Sequence, residues 1–170
     1  MTTCVLFVQG GGAGAHSEDA PLADSLRRTL GPSYDVRFPQ MPGESDPKVG
    51  PWKQKISAEL SHASGKVILV GHSVGGSILL RYLAEEDVDN KIAGLFLLAA
   101  PAWDRDRWDF DDLKLPRDIS EKLARIPRIL FYHAVMTTLS RLLTLHFTAH
   151  RFRRLSLERS IAADTSSAMT

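Results

Sequence analysis

Two rhythms of apolar and polar positions alternate along this chain. Short apolar or alternating runs recur at residues 4–9, 34–38, 67–70, 92–99 and 126–132, and between several of them apolar residues fall four apart. The first rhythm is that of strands, and unbroken apolar runs suit strands buried on both faces; the second marks one face of a helix. The chain therefore reads as strand 4–9, the loop Gly10-Gly11-Gly12-Ala13-Gly14, and a helix over about 20–30. Leu22, Leu26 and Leu30 would form the buried stripe of that helix, and Gly31-Pro32 would stop it. A strand at 34–38 and the loop Pro39-Gln40-Met41-Pro42-Gly43 come next. A second helix should have Pro51 at its first position, Ile56 and Leu60 on one face, and an end before Gly65. Strand 67–70, helix 77–86, strand 92–99, an irregular segment 101–116 and a last strand at 126–132 complete the series.

Strands alternating with helices predict an α/β fold, a doubly wound and mostly parallel sheet with helices on both faces. In such sheets ligands bind beyond the carboxyl ends of the strands, which would gather residues 10–14, Ser73 and 101–116 in one place.

One junction carries more than architecture. Gly71-His72-Ser73-Val74-Gly75 stands between the apolar run 67–70 and the helical stretch after it. A serine on so sharp a corner has a strained backbone and needs small neighbours, and its hydroxyl projects outward. This is the pattern of a nucleophile elbow. Glycine-rich strand-to-helix turns also occur without chemistry, but here strand, central serine and helix agree with the motif.

A serine hydroxyl is a weak nucleophile until a base, an acid that orients the base, and oxyanion donors assist it. The Val74 N–H, next after the serine, is one candidate donor. The second would come from the loop after the first strand, where Gly11 leaves its amide uncovered. The same loop fits a loose dinucleotide fingerprint, Gly10-x-Gly12-x-x-Ala15. That alternative expects an acidic residue at the end of the second strand, where Phe38-Pro39-Gln40 stands, and leaves the elbow unexplained.

Composition narrows the partners. With 170 residues, a formal net charge of +1, 44% hydrophobic and 24% charged residues, the chain has the make-up of one ordinary globular domain. Nothing in that balance calls for nucleic acid or membrane. Cys4 is the one cysteine, which excludes an internal disulfide and suits a reducing compartment. The opening Met1-Thr2-Thr3-Cys4 has no basic stretch and the apolar run after it is short, so a cytoplasmic location is expected.

The chain resembles the α/β-hydrolases, and more narrowly the small cap-less serine hydrolases related to the retinoblastoma-binding serine hydrolase. The residues that carry the likeness are Leu6-Phe7-Val8-Gln9-Gly10, Val70-Gly71-His72-Ser73-Val74-Gly75-Gly76 and Leu97-Leu98-Ala99-Ala100-Pro101. It covers about residues 5–133. It implies hydrolysis of small carboxylic esters or related acyl compounds, Ser73 as nucleophile, and no cofactor. It also implies an acid in an Arg-Asp-Asp run after the strand ending near His133, and a histidine base in a late Gly-His-x-Phe stretch.

Neither motif is present. After His133 the chain reads Ala134-Val135-Met136-Thr137-Thr138, and no Gly-His pair follows Gly71-His72. Residues 1–133 thus read as the hydrolase core and 134–170 as an atypical tail, helical or disordered. His146 and His150, four apart, could supply a substitute base or be ordinary tail residues. His72 is not assigned as base, since that elbow position commonly packs. His16 could line the pocket or be a solvated loop residue. The cluster at 103–112, rich in tryptophan and aspartate, could roof an acyl pocket or form a charged surface loop. Arg141, Arg151, Arg153, Arg154 and Arg159 could mark a membrane or nucleic-acid segment, but a GC-rich gene read out of frame also yields arginine.

The genetic code supports the last explanation. Met136 ends in G and Thr137 begins AC, so a codon straddling them is GAC, aspartate. The straddling codons before it permit arginine and aspartate, and those across residues 162–167 permit Gly-Gly-His-Gln-Phe. Only the aspartate straddling Met136 and Thr137 is forced. A frameshift near codon 134 is therefore expected, and DNA sequencing should show it; an uninterrupted frame that cannot encode these motifs one base out would refute it.

Overall fold

The computed structural model describes residues 2–88, 91–100 and 118–132. Expectations for residues 101–116, for the cluster at 103–112, for His146 and His150, and for the tail with its arginines lie outside the described residues. Within them the order is β1 (Thr3–Val8), α1 (Ala15–Leu30), β2 (Tyr34–Arg37), α2 (Val49–Ser61), β3 (Val67–His72), α3 (Val74–Glu85), β4 (Ile92–Leu98), α4 (Ile119–Leu123) and β5 (Ile129–Tyr132).

The strands form one sheet in the order β2-β1-β3-β4-β5, every pair parallel. Because successive side chains on a strand face opposite ways, the sheet feeds two cores. Leu6, Val8, Leu69, Leu95 and Leu97 pack with Trp52 and Ile56 of α2, Ile78 and Leu83 of α3, and Ile119 and Leu123 of α4. Val5, Phe7, Val36 and Val70 pack on the other face with Ala23, Leu26 and Leu30 of α1. Helices thus lie on both faces, as the strand–helix alternation predicted.

Helix α1 departs from expectation in two ways. It starts at Ala15, so Pro21 lies inside it rather than near its start, and Leu22 is the exposed member of the proposed stripe at 46% relative exposure. The residues of α1 that are fully buried are Ala15, Asp19 and Ala23. Two of these positions are held by alanine, and at the third Asp19 meets hydrogen-bond donors in the interior, the Gly10 N–H and the His72 ring. Smaller differences lie at the ends of other elements. Helix α2 begins at Val49, which puts Pro51 in its first turn, where a missing N–H costs nothing. Helix α3 begins directly after Ser73, and the short α4, unread from the sequence, precedes a β5 that starts at Ile129 rather than 126.

The long connection from β2 to α2 crosses toward the carboxyl end of β1. Two side chains fix it. Met41 is 2% exposed, and the fully buried Trp52 donates its indole N–H to the Pro42 carbonyl at 2.7 Å. Trp52→Phe should therefore lower stability by about 1–3 kcal/mol, through one lost hydrogen bond and a small cavity. A lower urea midpoint at unchanged slope would show it.

Candidate active site

Register places the candidate residues side by side. Val8 pairs with Gly71 across β1 and β3, so the chain two residues further on brings Gly10 level with Ser73. These adjacent strands are where the sheet order reverses, since β2 lies on one side of β1 and β3 on the other.

Ser73 has φ 49 and ψ −122, a conformation that L-residues rarely adopt. Its N–H donates to the Leu98 carbonyl at 2.8 Å, and its own carbonyl accepts from Gly76 at 3.0 Å and Ser77 at 3.3 Å. The corner is thereby held from both sides. Glycines make the approach possible: a Cβ on Gly71 would sit 2.5 Å from the Gly76 Cα, and one on Gly75 would collide with the Gln9 carbonyl oxygen. Backbone atoms cannot move aside as a flexible side chain can. The strain, the corner and the need for glycine predicted for this motif are all present.

Val74 heads α3, so its N–H has no acceptor within the helix. Gly11 lies against it, because a Cβ there would be 3.3 Å from the Val74 Cβ and 2.6 Å from the Pro47 Cγ. The neighbouring amides of the glycine loop are spoken for: Gly10 N–H donates to Asp19 at 2.7 Å and Gly12 N–H to the Glu44 carbonyl at 2.6 Å. Gly11 N–H has no partner among the described residues. The structure thus brings Ser73, Val74 and Gly11 together at one sheet edge.

Asp19 is the residue that sequence reading missed. It is 4% exposed, and besides Gly10 it accepts from His72 Nδ1, 2.8 Å from Oδ1 and 2.9 Å from Oδ2. One carboxylate on α1 therefore ties the loop after β1 to the residue before Ser73. This explains why His72 packs at the elbow. A faint signal was available: an aspartate four residues from both Ala15 and Ala23 continues the helix's buried stripe. His16 does not sit in a loop; it belongs to α1, its ring stacks on Phe38 at 4.3 Å, and its Nε2 lies 3.3 Å from the Phe38 carbonyl.

The dinucleotide alternative fails at this point. A pyrophosphate would need the free N–H groups of the loop and of the first turn of α1. Those of Gly14 and His16 already donate to the Glu44 carboxylate, at 3.1 and 3.0 Å. A fixed negative charge stands where the phosphates would go. Among the described residues, no group of three His, Cys, Asp or Glu side chains could hold a metal ion, and no helix is long and apolar enough to cross a membrane.

Residues 15–134 match a protein-family model described as serine hydrolase. No curated protein matches the sequence. Among solved structures, the ydeN gene product of B. subtilis is similar over 92% of this chain and 83% of its own, at 18% identity and a TM-score of 0.75. A putative ydeN-like hydrolase from Pectobacterium atrosepticum is similar over 91% and 75%, at 17% identity and a TM-score of 0.57. Likeness at such identities is a likeness of fold. A pyrethroid hydrolase from Sphingobium faniae is matched at 23% identity over 60% of this chain, with a TM-score of 0.42, and the matched part is 41% of that protein's length.

The buried carboxylate gives a test of the site's construction. Asp19→Asn replaces one accepting oxygen with an NH2 group, leaving the Gly10 N–H or the imidazole N–H facing another donor. Stability should fall by about 1–3 kcal/mol, and hydrogen exchange at Gly10 should speed up, measured by urea unfolding and by amide exchange.

Proposed function

Because the chain belongs to the serine hydrolase family and has the α/β-hydrolase fold, we propose that it cleaves small carboxylic esters or related acyl compounds with Ser73 as nucleophile. The observation that carries this reading is the strained backbone of Ser73 at the head of α3, beside two amides free to receive an oxyanion. Ser73 Oγ attacks the acyl carbon, and the carbonyl oxygen gains a negative charge held by the Gly11 and Val74 N–H groups. The alcohol leaves with a proton, and water then releases the acid from the acyl-serine. Each well-placed donor of this kind is worth about 10²–10³ in kcat. No cofactor enters these steps.

The serine proton has to pass to a base. His72 Nδ1 is already engaged with Asp19, which supports the view that the base comes from another part of the chain. The core of the domain is taken as residues 1–133, and the family match ending at residue 134 supports that division. The substrate is a small molecule, and neither nucleic acid nor membrane is required; a cytoplasmic location remains the expectation from the lone cysteine.

A second reading rests on the tail sequence, where the acid and base motifs implied by resemblance are absent: an α/β-hydrolase-like protein that is catalytically impaired. Hydrolysis of p-nitrophenyl acetate and labelling by a fluorophosphonate separate the two. The wild-type chain should turn over the ester and label, and Ser73→Ala should do neither. Wild-type turnover no faster than that of the variant would defeat the enzyme reading.

A further inference from the structure

The glycine loop after β1 is gripped from outside by a residue far from it in sequence. Glu44, in the connection from β2 to α2, accepts the Gln9 side-chain N–H at 2.6 Å and the His16 N–H at 3.0 Å on Oε2, and the Gly14 N–H at 3.1 Å on Oε1. Its main-chain carbonyl takes the Gly12 N–H at 2.6 Å. Gln9, with no exposed surface, completes the tie by accepting the Met41 N–H at 3.1 Å. Three donors on one carboxylate saturate most of its lone-pair sites, and charge-assisted bonds of this kind hold geometry firmly.

We propose that Glu44 is a positioning residue for the oxyanion loop, clamping the chain on both sides of Gly11 so that this amide is left to face Ser73. The inference rests on the reading of Ser73 and Gly11 given above. Without the clamp, the N–H groups of Gly14 and His16 at the head of α1 would be free to draw the loop, or an anion, elsewhere. The base that carries the clamp is itself fixed, by buried Met41 and by the Trp52 bond to Pro42. Pro47, four-tenths of an ångström too close to tolerate even an ordinary tight Cβ contact at Gly11, closes the loop's remaining side.

The Gln9 amide, followed by the His16 N–H, holds the Glu44 carboxyl below its ordinary range. Facing it, α1 brings His16, the glycine loop brings the uncharged Gln9, Gly12 and Gly14, and its own loop carries Asp46 and Lys48, which pair with each other at 3.0 Å. Because the folded-state value is depressed, the clamp is complete above the ordinary carboxylate range and is lost as pH falls through the lowered value.

The test is amide NMR of the whole chain, wild type against Glu44→Gln and Glu44→Ala, with ester kinetics in parallel. In the wild type, the Gly14 and His16 amide protons should titrate together in acid, below the ordinary carboxylate range; in Glu44→Gln this titration should vanish. Gly10, bonded to Asp19, should keep its wild-type shift and report that the fold is intact. The kcat should fall about tenfold or more, with KM nearly unchanged, since a displaced donor costs less than a deleted one. Gly14 and His16 signals that titrate alike in wild type and Glu44→Gln would overturn the proposal, as would unfolding of both variants, which would make Glu44 a residue of the fold rather than of the loop. A wild type that is inert toward ester and probe, yet shows the Glu44-dependent titration, would overturn the reading of function and support the clamp.

Discussion

Helix α3 begins in backbone-to-backbone contact with the ends of two strands, and every other part of the site is arranged around that approach. Gly71 and Gly76 meet with no side chain between them, and Gly75 rests on the carbonyl of Gln9. Dispersion and close packing favour such contacts only where nothing intervenes. Any substituent would push the helix away from the sheet and carry the Val74 amide with it. The strained dihedrals of Ser73 are the geometric result of turning from strand to helix in that space. The cost is of order 1–3 kcal/mol and is offset by the buried faces of β3 and α3.

Two carboxylates then finish what the glycines permit. A glycine-rich loop has more conformational freedom than any other segment and would not by itself keep one amide aimed at one point. Asp19 pins it at Gly10 from the side of α1, and Glu44 pins it from the side of the β2–α2 connection, with its carboxylate at Gly14 and His16 and with its main-chain carbonyl at Gly12. The freedom needed to fit beneath α3 is removed by charge-assisted bonds made elsewhere. This division of labour lets the residues nearest the serine, Gly10 to Gly12, carry no side chains of their own.

How much of this was legible in the sequence depended on the range of the interaction. The elbow was legible because its cause is local: Gly71, Ser73 and Gly75 lie within five residues, and the strand and helix signals flank them. Gly11 was legible as a bare amide, though the reason it is the free one was not. That reason lies in Glu44, whose partners are 28 to 35 residues away and whose sequence neighbours read as an ordinary polar loop. Asp19 was hidden because a carboxylate on a helix reads as surface, and of the expected leucine stripe Leu26 and Leu30 pack on the sheet while Leu22 does not. The start of α1 was read at about residue 20 because the leucine stripe begins at Leu22, whereas the helix itself starts at Ala15. Periodicity weighs hydrophobicity alone, and here a charged side chain was buried because its partners were already in place.

The bond from Ser73 N–H to the Leu98 carbonyl has a consequence for the order of synthesis. Residues 67–85 contain all of β3 and α3, yet the serine corner remains without its outer tie until the last residue of β4 has left the ribosome and paired. The next bond of the same kind, from Ala99 N–H to the Tyr132 carbonyl, waits for β5 in turn. The strand tips thus close in sequence from the serine outward. A nascent chain that stops before residue 98 carries the motif in full but lacks this bond, so the serine corner gains its outer tie later than the residues that spell it.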